Sequence, residues 1–159
     1  MTAPAASSAP GSPPTAHRRG SRPSVGASAG LSTLALRAAG ALGMTGVMLG
    51  AFGAHALRGR VSPEMLEVYK TGVSYHLWHA LGLLGISLLV DRLRWPRVTL
   101  ALFIGGVVVF SGNLYLLAIS GVRWLGAITP LGGLSLIAGW ATLLASRGAG
   151  PSARPPSGP

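Results

Sequence analysis

Residues 49–57 read LGAFGAHAL, and the fold turns on how this stretch is read. A histidine ends a run made otherwise of glycine, alanine and large apolar residues. It could close a cleavable signal, end a helix, or be a polar group held within a membrane. AHA at 54–56 fits the A-x-A pattern of signal cleavage, and arginines precede the apolar run. A signal's apolar region is about 7–15 residues long. Here the uncharged run extends over 38–57, close to the roughly 20 residues a membrane helix needs. Length therefore favours a span.

Working outward, three more apolar runs follow at 72–90, 98–120 and 125–146. RGRVSPEMLEVYKT, DRLRWPR and GVRW separate the four. Such short connections make neighbouring helices antiparallel, so the predicted fold is all-α: a four-helix transmembrane bundle over residues 31–147. Ser62-Pro63-Glu64 supplies an N-cap, a first-turn proline and a first-turn acid. The second helix is therefore expected to start before its span, with 63–71 as an amphipathic collar. Residues 1–30 and 148–159 are rich in Ala, Ser, Pro and Gly and lack the apolar surface to offset chain entropy. Both are predicted to be disordered tails.

Composition agrees. The 159 residues are 49% hydrophobic and 10% charged, with three acids in all. A soluble domain uses about 25% charged residues to cover its surface. The net charge of +10 raises the question of nucleic acid, but the arginines lie scattered between apolar runs instead of forming one stripe. The expected partner is the lipid bilayer, not nucleic acid; a second copy or another membrane protein is left open. Absent cysteine removes disulfides and thiolate chemistry. With four crossings, all 13 basic residues except Arg58, Arg60, Lys70 and Arg123 fall on the side of the termini. Positive-inside bias then puts both termini in the cytoplasm of a multi-pass protein of the plasma or inner membrane.

At 100° per residue, Gly43, Gly46, Gly50 and Gly53 share one face of the first helix, and Gly132, Ser135 and Gly139 share one on the fourth. Small residues let helices in lipid approach closely, so both stripes are read as packing seams. His55 points away from the glycines, beside Met44 and Met48, and is expected to face the second helix. There Tyr69, Gly72, His76, His79, Leu83 and Ile86 share a face, while Leu77, Trp78, Leu81, Leu84 and Leu88 look toward lipid. Asn113 shares a face with Gly106, with Ser111 turned away. Polar groups in a membrane normally face the bundle interior. This makes His55, His76, His79, Asn113 and neighbouring Tyr75 a candidate polar cluster in the half of the membrane away from the termini. Imidazoles there could bind a metal, with His55 and His79 the candidate ligands, or relay protons; the plain alternative is that each ring bonds a neighbouring group. No spacing specific to a metal motif occurs. No catalytic constellation is present, and no cofactor is expected.

LGAFGAHAL, then TGVSYHLWHALGLLG, FSGNLYLLAISG and ITPLGGLSLIAGW, resemble domain of unknown function 423, also called uncharacterised protein family 0382. That family takes in YgdD-type bacterial inner-membrane proteins and animal transmembrane protein 256. The resemblance covers about residues 38–145 and implies a four-helix integral membrane protein with no assigned activity. Matching positions are residues 50–55, Tyr75, His79, Thr129, Pro130, Gly132, Gly133, Gly139 and Trp140. Relatives often carry glutamine at His76 and usually serine at Asn113. The resemblance also implies that the first motif belongs to the mature bundle and is not cleaved.

The expected role is a non-enzymatic structural or assembly component of the membrane. The alternative is a small permease, or a proton or metal handler, using His55, His76 and His79.

Overall fold

The computed structural model describes residues 25–146. Its elements are α1 (Val25–Phe52), a π-helical turn (Gly53–Leu57), α2 (Pro63–Leu89), a 3-10 turn (Val90–Arg92), α3 (Pro96–Ser120) and α4 (Trp124–Leu144). No strand occurs among the described residues. Four helical stretches are long and apolar enough to cross a membrane: Gly26–Leu57, Pro63–Arg92, Pro96–Ser120 and Trp124–Leu144. Their outer surface carries Trp78, Leu88, Leu131, Ile137 and Leu144, all exposed. So much exposed apolar area suits lipid and not water.

Local chemistry sets the ends. Ser62 caps α2 by accepting a hydrogen bond from the Met65 amide at 3.3 Å, with Pro63 in the first turn. Beyond it, Lys70 pairs with Glu67 on the exposed collar at 2.7 Å. Gly121 ends α3 in the left-handed region, φ 70°, and its amide returns to the Leu117 carbonyl; only glycine enters that region cheaply. Pro96 opens α3, where a missing N–H removes no helical bond.

The first helix departs from the sequence reading. It begins at Val25, so residues 25–30, assigned to a disordered tail, are helical; the remainder of that tail and residues 148–159 lie outside the described residues. Tertiary packing makes the difference. Ala35 and Ala39 are buried among Leu83, Ile86, Val90 and Phe103, and the Ser32 hydroxyl donates to the Ser87 carbonyl at 2.6 Å. These contacts lie just beyond residue 30, and the helix they hold extends back to Val25 through half-buried Ala27 and Ser28.

α1 packs along α2, α2 along α3, and α3 along α4. Gly46, Gly50 and Gly53 turn toward Leu77, Val73 and Tyr69 of α2, and a Cβ on Gly53 would lie 2.6 Å from the Tyr69 ring. Leu77, assigned to the lipid face, packs instead against Gly46. Gly43 is a second correction: no atom of another helix comes near its Cβ position, so the seam begins a turn later. Between α3 and α4 the approach is closer still. A Cβ on Gly132 would strike the Phe110 backbone, and one on Gly139 would lie 2.6 Å from the Phe103 ring. Ser135 donates to the Leu102 carbonyl at 2.9 Å, and Thr99 and Thr142 join hydroxyls at 2.7 Å.

Candidate functional site

The motif that opens the chain's first connection forms the π-helical turn Gly53–Leu57. Tyr69, fully buried, lies against Gly53, and its hydroxyl donates to the Leu49 carbonyl at 2.9 Å. Single π turns commonly interrupt α-helices at special positions; here the turn seats a tyrosine from α2. His55, on the same turn, is exposed. α1 spends its glycine face on α2, so the opposite face with Met44, Met48 and His55 points outward. His55 therefore does not face the second helix, and no hydrogen bond joins it to His76, His79 or Asn113 among the described residues.

α2 carries its polar groups inward: His76 and His79 are both buried. His76 lies midway along α2 (Pro63–Leu89), level with the later turns of α1 and of α3. Its Nε2 is 3.2 Å from Thr45 Oγ1 of α1, and its Nδ1 is 3.2 Å from the Tyr115 hydroxyl of α3. Thr45 donates its own proton to the Ala41 carbonyl at 2.8 Å. With the Thr45 proton on that carbonyl, Thr45 Oγ1 accepts from Nε2–H and Nδ1 accepts from Tyr115. The contacts form one series, Tyr115, His76, Thr45 and the α1 backbone, which in that tautomer runs in a single direction.

His79 is fixed by the same logic. Its Nδ1 is 2.7 Å from the Tyr75 carbonyl, to which it can only donate. Its Nε2 accepts from Trp140 Nε1 of α4 at 3.2 Å; indole is a donor only. Around it lie Phe103 at 5.6 Å and Trp140 at 6.2 Å between ring centroids, both edge-on. Tyr75 stacks on His79 at 5.9 Å and touches Phe110 at 4.4 Å, but remains 42% exposed.

Of the candidate cluster, then, the structure brings His76, His79 and Tyr75 onto neighbouring turns of α2 and leaves His55 apart. Asn113 is half-buried, with no hydrogen bond from its side chain to any of the three histidines. The buried polar positions of α3 are Thr99, Ser111 and Tyr115; Asn113 is not among them, although Gly106, placed on its face, is buried against Leu136. Ser111 Oγ is buried without a hydrogen-bond partner. As metal ligands, His55 and His79 fail on geometry. One is on the outer face, and the other has its nitrogens committed to a carbonyl and an indole. Among the described residues, no three His, Asp or Glu side chains gather around a common point.

Sequence reasoning did not name Thr45 or Tyr115, and it named Tyr69 and Trp140 only for a helix face and a motif match, not as partners of the site. A signal did exist. A buried imidazole needs partners, and these are polar side chains of otherwise apolar spans, each with an apolar body.

The model for "Protein of unknown function (DUF423)" matches residues 49–133. The UPF0382 membrane protein YwdK of Bacillus subtilis is 50% identical over 97 residues, 59% of this chain and 79% of the relative. UPF0382 membrane protein SH2409 of Staphylococcus haemolyticus is 45% identical over 107 residues, 65% and 85% of the two chains. The UPF0382 inner membrane protein YgdD of Escherichia coli K12 is 42% identical over 103 residues, 62% and 76%. No solved structure matches. The matched segment runs from the π turn through both α2 histidines to the Gly132 contact, and with it this four-span chain belongs to the DUF423, or UPF0382, family of membrane proteins.

Proposed function

We propose that the protein is a non-catalytic structural component of the membrane, a helical unit whose buried polar residues fasten its spans together. One observation carries this reading: two histidines one turn apart on α2 tie that helix to each of the other three. His76 reaches α1 through Thr45 and α3 through Tyr115, and His79 reaches α4 through Trp140. Every ring nitrogen is engaged, as expected of side chains that hold a packed membrane interior together. Metal binding by either α2 ring would first have to break one of these bonds.

The test is reconstitution. Proteoliposomes containing the full chain should pass protons and divalent cations no faster than empty liposomes, and His76→Gln/His79→Gln should leave that baseline unchanged. The same double variant should unfold earlier in detergent. Flux above the empty-liposome level that a folded double variant loses would overturn the structural reading in favour of transport.

A further inference from the structure

At the end of the molecule where α1 starts and α2 passes to α3, a groove of about 720 Å³ opens between the first turns of α1 and the connection to α3. Leu31, Leu93 and Val98 supply apolar lining, and Arg94 and Arg97 supply charge. The volume lies within the roughly 300–1,000 Å³ of small-molecule sites. Two contacts hold the rim. The Arg94 guanidinium lies over the Trp95 ring, 4.3 Å from its centroid, and the Arg94 amide donates to Ser146 Oγ at the end of α4. Trp and Arg together are a common pairing at the membrane–water boundary.

Charge is what points to an occupant. The chain contains three acids. Glu64 and Glu67 are at the start of α2, the opposite end of the molecule, and Glu67 is paired with Lys70. Asp91 is the one carboxylate lining the groove, and neither Arg94 nor Arg97 forms an ion pair with it. The segment before α1 carries Arg18, Arg19 and Arg22 and no acid, so it offers like charge. Asp91 offsets at most one of the two arginines, so the groove keeps a net positive charge that favours an anion. Phosphate is the anion resident at the membrane surface, and a basic pocket beside apolar helices suits a phospholipid.

We propose that this groove binds an anionic glycerophospholipid, with its phosphate between Arg94 and Arg97 and the start of an acyl chain along Leu31, Leu93 and Val98. The ligand is lipid, not free phosphate, because the groove joins its charged rim to apolar walls.

The experiment is native mass spectrometry of the full chain in neutral detergent, titrated with dioleoyl phosphatidylglycerol or dioleoyl phosphatidylcholine. Phosphatidylglycerol should bind about tenfold tighter or more, since each surface arginine contributes close to a factor of five. Arg94→Gln/Arg97→Gln should reduce that preference to about twofold or less. Arg58→Gln/Arg60→Gln, at the other end, should leave it intact. All four arginines are exposed, so both variants are expected to fold. An undiminished preference in Arg94→Gln/Arg97→Gln would overturn the site, as would equal loss in both variants, which would mean diffuse attraction. Displacement of the lipid by millimolar glycerol phosphate would overturn the lipid assignment in favour of a soluble anion.

Discussion

The indole of Trp140 can only donate, so its bond to His79 makes Nε2 the acceptor and Nδ1 the nitrogen that donates to the Tyr75 carbonyl. Trp140→Phe keeps most of the ring packing against Phe103, at 5.1 Å, and removes only the donor. It should lower unfolding stability in detergent by about 0.5–1.5 kcal/mol, read from a thermal or denaturant melt. Ser111 is the contrasting case, since its buried hydroxyl has no partner and an unsatisfied buried group costs about 1–3 kcal/mol. Ser111→Ala should therefore be neutral or stabilising in the same melt. A clear loss would show that the hydroxyl serves a group it does not touch in this structure.

Between elements, the glycines separate into two kinds. Gly132 meets the main chain of Phe110, which cannot swing aside as a flexible side chain can. Gly132→Ala should cost about 1–3 kcal/mol and loosen α4 from α3, measurable as earlier unfolding and faster proteolysis of the last helix. Gly43 faces open space. Gly43→Ala should be tolerated, with any gain in helix propensity under about 1 kcal/mol. A sequence stripe treats the two glycines as equals; the neighbouring backbone does not.

For the molecule as a whole, charge is unevenly spread along the membrane normal. Positive-inside bias predicts cytoplasmic termini, and labelling tests that expectation. The chain has no cysteine, so single replacements make clean reporters. In intact cells Arg60→Cys should react with a membrane-impermeant maleimide, whereas Arg94→Cys should react only after the membrane is opened. The reverse pattern would invert the topology. Both side chains are exposed, which keeps the labelling a question of side and not of burial.

The sequence by itself determined the number of spans, their antiparallel order, the α2 cap and the inward face of His76 and His79. All of these follow from length, hydropathy and a fixed helical period, which are local properties. Tertiary structure decided the rest. Whether the first turns of α1 are helical depends on Ala35 and Ala39 finding a surface to pack against. Which of two faces α1 turns inward depends on competition between glycine packing and a lone histidine, and close packing wins, leaving His55 outside. Asn113 yields to Ser111 and Tyr115 for a similar reason: one face of a helix meets its neighbour, and the partner's shape chooses it. The histidines' roles lie at the same level, because an imidazole's partners come from three other helices that no local pattern brings together.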